Sequence, residues 1–203
     1  MKKILFGFFI PLLFVTVLTA CGKDAKKEIT NSIPAKEMEE IYVTADNQTV
    51  NMITTTSNEV KITVTGGEKP EIMEKENSLY IEAKASSKVV NFHTPELKVE
   101  LPEKIYEKIK IETISGKIIL KAKSIVRNIQ TDSGDVTIQL LDKPDDMNIS
   151  LKAATGKIES AFTAHLVVQE KGGGNIVEHL TEHAKMKIEA ATSSGNIYLV
   201  QTD

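Results

Sequence analysis

Two stretches decide the fold: Ile109-Lys110-Ile111-Glu112-Thr113-Ile114-Ser115-Gly116-Lys117-Ile118, and Ile129-Gln130-Thr131-Asp132-Ser133-Gly134-Asp135-Val136-Thr137-Ile138. In each, apolar and polar residues alternate up to a Ser-Gly pair, and a β-branched residue follows two positions later. Period-two alternation rich in such residues marks strands with one buried face. The pattern returns as Thr155-Gly156-Lys157-Ile158, Gly173-Gly174-Asn175-Ile176 and Ser194-Gly195-Asn196-Ile197. Successive glycines of the set are 18, 22, 18 and 21 residues apart.

A period near 20 is the mark of a stacked repeat. One such unit is too thin to bury its apolar face alone and must lie against its neighbours. Two short strands and a glycine corner suit one turn of a solenoid. The expected fold is therefore all-β, a single-stranded parallel β-helix. Gly116, Gly134, Gly156, Gly174 and Gly195 stand at its corners, where glycine supplies a backbone conformation closed to other residues. In the fourth unit, Leu166 and Val168 are in phase with Gly173 and Ile176 with Gly174, so the extra glycine reads as a bulge. The alternative is an antiparallel β-sandwich, but Asn-Gly and Asp-Gly, the favoured hairpin dipeptides, do not occur. Glu40 to Pro102 is also strand-like but less regular, with turn-rich pieces such as Thr65-Gly66-Gly67 and Glu76-Asn77-Ser78; atypical coils are expected at a solenoid end.

The run Val99-Glu100-Leu101-Pro102, then Ile109 to Ile118, then Thr131 to Ile138, resembles the bacterial putative-adhesin family of unknown function. That family follows a strand ending in Leu-Pro with repeated Ser-Gly-Asp-Ile or -Val units. The resemblance covers about Ile41 to Val200 and implies a right-handed β-solenoid of the cell envelope. Lys117, Lys157, Asn175 and Asn196 replace the commoner Asp, so no shared acidic site is implied.

At the other end of the chain, Lys2 and Lys3 precede an apolar run from Ile4 to Leu18. The run has the length of a signal-peptide core and falls short of the ~20 residues of a spanning helix. Leu18-Thr19-Ala20-Cys21 resembles the lipobox of bacterial lipoproteins, which implies cleavage before Cys21 and a lipid on its thiol. The chain then divides into a signal peptide (1–20), a lipid-anchored flexible tether (21–35) and a solenoid domain (36–203). The protein would sit outside the cytoplasm, held on the bacterial cell membrane through Cys21. As the sole cysteine, Cys21 then leaves none for a disulfide, a zinc cluster or thiol chemistry.

Cleavage would remove two of the 25 basic residues and none of the 28 acidic ones, leaving a net charge of −5. Lys and Glu are interspersed as on a solvated surface, and nothing is basic enough for nucleic acid.

Two motifs suggest chemistry. His179-Leu180-Thr181-Glu182-His183 matches an inverted zinc-peptidase string, but that chemistry needs a further carboxylate ligand from a distant helix. Asp132, Asp135, Asp142, Asp145 and Asp146 are oxygen ligands of the kind calcium takes, yet the Gly-Gly-x-Gly-x-Asp repeat of calcium-binding β-rolls is absent. No catalytic residue, metal ligand or cofactor site is therefore assigned. The expected role is a non-catalytic structural or interaction module, with an envelope protein or polysaccharide as partner. The alternatives are a sensor or accessory lipoprotein of an envelope-stress response and a small enzyme acting on wall polymers. The last strand, Asn196 to Val200, is expected to leave an open end at Ile197 and Leu199, used for contact in a monomer or weak homodimer.

Overall fold

Where apolar residues alternate with polar ones, as in Lys108–Thr113 and Val136–Leu140, the chain is extended and one face of the strand is buried. The structure is a computed structural model and describes residues 28–35, 38–84, 94–104, 106–122, 127–141, 147–161, 167–171, 174–179, 184 and 186–201. Its strands are β1 (Glu28–Pro34), β2 (Glu40–Ala45), β3 (Thr49–Thr55), β4 (Glu59–Thr65), β5 (Glu71–Lys75), β6 (Ser78–Ala83), β7 (Glu96–Pro102), β8 (Lys108–Thr113) and β9 (Ile118–Ala122). They continue as β10 (Arg127–Ser133), β11 (Val136–Leu140), β12 (Met147–Ala153), β13 (Ile158–Ser160), β14 (Val167–Lys171), β15 (Gly174–His179), β16 (Met186–Ser194) and β17 (Ile197–Gln201). The described residues are all-β.

The strands form two mixed sheets. One has the order β1-β4-β7-β3-β9-β11-β17-β13, and the other β14-β15-β12-β16-β10-β8-β2-β6-β5. Their central strands pair in parallel, while β1, β4 and β5 at one end and β14 and β15 at the other pair antiparallel. The core lies between the sheets. In the nine-stranded sheet Ile81, Val43, Ile111, Ile129, Ala190 and Leu151 form one register row. Val99, Met52, Leu120, Ile138 and Leu199 form a row in the eight-stranded sheet. All eleven of these residues are buried.

Four expectations need correction. Glu28–Pro34, placed in the flexible tether, is strand β1, paired with β4 over seven residues. The alternation of Ile29, Asn31 and Ile33 explains this, because it turns Asn31 and Ile33 into the interior. The fourth repeat is not a parallel unit: β14 and β15 pair antiparallel with Lys171 opposite Gly174, so Gly174 opens an antiparallel strand instead of marking a parallel corner. The last unit is not an open end. β16 lies between β10 and β12, β17 between β11 and β13, and Ile197 and Leu199 are fully buried. Finally, the units do not stack in chain order, since β2–β3 lies between β6–β7 and β8–β9.

Candidate functional site

A column of close backbone contacts runs along the corner where the chain passes from one sheet to the other. In stacking order it contains Gln48, Gly116, Gly134, Gly195 and Gly156. A Cβ on Gly116 would meet the Gln48 carbonyl, one on Gly134 the Gly116 carbonyl, one on Gly195 the Gly134 carbonyl, and one on Gly156 the Gly195 carbonyl, each closer than the 3.0 Å that side chains need. The requirement is space, not dihedral angle: Gly66 is the only glycine with positive φ among the described residues, at 72°. This corrects the conformational role expected for the corner glycines.

Backbone and side-chain bonds hold the column in register. Ile118 N–H donates to the Asp135 carbonyl (2.9 Å), Val136 N–H to that of Asn196 (2.8 Å), and Ile197 N–H to that of Lys157 (2.9 Å). Asp135 Oδ1 accepts from the Asn196 backbone N–H (2.8 Å) and side-chain amide (3.1 Å), while Asn196 Oδ1 accepts from Lys157 N–H (3.0 Å). Inside the corner, Thr113, Thr131 and Thr192 line up in register and are buried. Thr113 Oγ1 donates to Thr131 Oγ1 (2.9 Å), and Thr192 Oγ1 to the Gly134 carbonyl (3.2 Å). These Thr and Asp side chains are therefore used in the fold.

Both ends of the column are closed by amides. At one end Gln48, 1% exposed, donates Nε2–H to the Lys84 carbonyl at 2.7 Å. At the other, Asn175 Nδ2 donates to the Gly156 carbonyl at 2.7 Å. Sequence reading missed Gln48 because it searched for glycine. The signal was present, since Ala45-Asp46-Asn47-Gln48 has the spacing of Thr113-Ile114-Ser115-Gly116.

A second feature lies on the outer face of the nine-stranded sheet. Met73, Tyr80 and Tyr42 occupy one register row across β5, β6 and β2. The Tyr42 and Tyr80 rings stack with centroids 4.7 Å apart and planes 5° apart. Tyr42 Oη and Ser78 Oγ each donate to Glu40 Oε2 at 2.9 Å. Those two bonds, the Tyr42 one first, hold the Glu40 carboxyl below its usual value, with Lys108 adding a smaller pull. The Lys108 ammonium lies 5.0 Å from the Tyr42 centroid, and the neighbouring Tyr42 hydroxyl is the chief cause that raises its pKa. Nearby charges are matched on the same face: Lys84 with Glu71 (3.0 Å) and Glu82 (3.3 Å), and Lys110 with Glu112 (2.7 Å). Met73 is 61% exposed and Tyr80 37%. The row is a preorganised apolar ridge in a locally neutralised field.

The surface also carries two open depressions. One of about 710 Å³ is lined by Pro34, Ala35, Asn58, Pro102 and Lys104, and there Lys104 Nζ donates to the carbonyls of Ala35 (2.8 Å) and Met38. The other, of about 210 Å³, has Ala153, Ala154 and Ala191 beside Gln130, Lys152 and Asn175. No group of three or more His, Cys, Asp or Glu stands ready to hold a metal among the described residues. Cys21, Asp142, Asp145, Asp146 and residues 180–183 of the histidine motif lie outside the described residues.

The chain matches no protein-family model and no curated protein. Among solved structures it is similar to a putative cell adhesion protein from Clostridium sporogenes ATCC 15579, at 17% identity and a TM-score of 0.55, over 88% of this chain and 100% of that one. Looser overlaps occur with a putative adhesin from Bacteroides fragilis NCTC 9343 (11% identity, 87% of this chain, 98% of the other, TM-score 0.32). A third is a putative adhesin from Parabacteroides distasonis ATCC 8503 (14% identity, 66% of this chain, 64% of the other, TM-score 0.37). The Clostridium likeness shows a shared all-β fold.

Proposed function

We propose that this chain is a lipid-anchored protein of the bacterial cell envelope that displays a parallel β-solenoid as a non-catalytic interaction module. The observation that carries the docking role is the Met73–Tyr80–Tyr42 row. Tyrosine and methionine are enriched at protein interfaces, where a few anchoring side chains supply most of the binding energy. Here the stacked rings are already ordered and Lys84 and Lys110 already paired with their carboxylates, so less ordering is left for the moment of binding. The partner is a protein surface of the envelope. The parallel pairing of the central units supports the solenoid reading, and the likeness to a cell adhesion protein supports the display role. The Leu18-Thr19-Ala20-Cys21 string supports the anchor.

The test uses the full-length chain in intact envelopes, with a photo-crosslinking residue at position 73 or 80 and, as control, at Ser150 on the same face. Crosslinks to one protein from 73 and 80, lost with Tyr42→Ala and absent from 150, are expected. Equal labelling from all three positions, or crosslinks to polysaccharide alone, would remove the docking assignment. The anchor has its own test: Cys21→Ala should abolish acyl labelling and leave unprocessed precursor.

A further inference from the structure

We infer that β16–β17 is the closing unit of the column, the piece without which β12–β15 cannot be held against the rest. Strands β10–β11 and β12–β13 are consecutive in the chain, yet they are not neighbours in either sheet. Between them lies β16–β17. β16 pairs with β10 from Arg127↔Ile188 to Ser133↔Ser194, and with β12 from Met147↔Met186 to Ala153↔Thr192. β17 pairs with β11 on one side and β13 on the other. Among the described residues β14 and β15 pair with the column only through β12, and Asn175 of β15 bonds to Gly156 of that same block. The same arrangement occurs at the opposite end, where β2–β3 separates β6–β7 from β8–β9.

Three sequence-local blocks are thus joined by two inserted units: β1 with β4–β7, β8–β11, and β12–β15. The β2–β3 insert is made before the β6–β7 and β8–β9 strands that it separates, whereas β16–β17 follows both of its neighbours in the chain. Since synthesis runs from the N-terminus, the slot beside β10–β11 stays open until residues 186–201 exist. Closure there also makes the specific bonds of Asp135 to Asn196 and of Asn196 to Lys157, which link the insert to both walls. Adding the insert fixes two interfaces in one step, so β12–β15 gains its protection only as β16–β17 does.

Hydrogen exchange of the full-length chain, read strand by strand, tests this order. A Cβ at Gly195 strikes the Gly134 carbonyl, on the β10 side of the insert; one at Gly156 strikes the Gly195 carbonyl, on the β12 side. Gly195→Ala should therefore lower protection about tenfold or more in both β16–β17 and β12–β15. Gly156→Ala should do so in β12–β15 while β16–β17 and β10–β11 keep theirs. If either variant fails to fold, the wild-type chain in low denaturant gives the same reading: β16–β17 must never open without β12–β15. Protection retained in β12–β15 while β16–β17 exchanges would overturn the inference.

Discussion

Gly195 faces the carbonyl oxygen of Gly134 so closely that there is no room for a methyl group between β16 and β10. Gly66 is the opposite case, with φ of 72° and the Pro95 Cα, the nearest atom beyond its chain neighbours, 3.8 Å from where a Cβ would lie. Asparagine tells the two needs apart, since it tolerates positive φ but brings a side chain. Gly66→Asn should cost under about 1 kcal/mol, and Gly195→Asn about 1–3 kcal/mol or more. Urea denaturation of both variants measures the difference; equal losses would mean that the corner glycine is there for conformation.

Asn31 is 1% exposed and neither polar atom of its side chain has a hydrogen-bond partner among the described residues. A buried amide without partners bears its full desolvation cost, and leucine has nearly the same branched shape. Asn31→Leu should raise stability by about 1–2 kcal/mol, seen as a higher urea midpoint at unchanged slope.

Glu40 has a pKa below its usual 4.5, chiefly through the Tyr42 hydroxyl and then Ser78. A lowered carboxyl pKa contributes stability that is present above the unfolded value and lost as pH falls through the folded one. The ordered Tyr42–Tyr80 stack should therefore hold from neutral pH to about 4.5 and loosen below it. The near-ultraviolet circular dichroism of tyrosine should fall over that range. In Tyr42→Phe, the Glu40 carboxyl should titrate closer to 4.5 by carbon NMR.

Lys104 pins the segment between β1 and β2 by donating to Ala35 and Met38 carbonyls, while its ammonium sits 5.0 Å from the Tyr106 ring centroid. Tyr106 is fully buried, donates to the Pro102 carbonyl at 3.3 Å, and has its hydroxyl pKa pushed up by burial. Lys104→Met keeps the stem and removes the donors. It should cost about 1–2 kcal/mol and speed amide exchange at Ala35 and Met38 without touching β12–β17.

Alternation and period were enough to read the strands of the glycine units and their buried faces, because burial acts on each residue separately. Ile109, Ile111, Ile118 and Leu120 are all buried. The order of the units was not legible for the same reason. Each carries a similar apolar pattern, so stacking β16–β17 outside β12–β13 would bury a similar set of side chains. The actual neighbour is favoured by local matches such as Asp135 with Asn196, which periodicity does not register. β1 was assigned to the tether, with an edge strand as the alternative, because Asn31 and Ser32 look like tether residues; the spacing of Ile29 and Ile33 is what marks the strand. The Tyr42–Tyr80 stack joins residues 38 apart in sequence and required the pairing of β2 with β6 to become visible.

The antiparallel docking of β1 has a mechanical consequence. Tension on the chain preceding Glu28, directed along the strand, acts on the seven register pairs from Glu28↔Thr65 to Pro34↔Glu59 in shear. Bonds loaded side by side share a force that would break them singly if the strand were peeled from one end. β1 therefore resists a lengthwise pull better than a sideways one, and the direction of the load decides how long the domain stays whole.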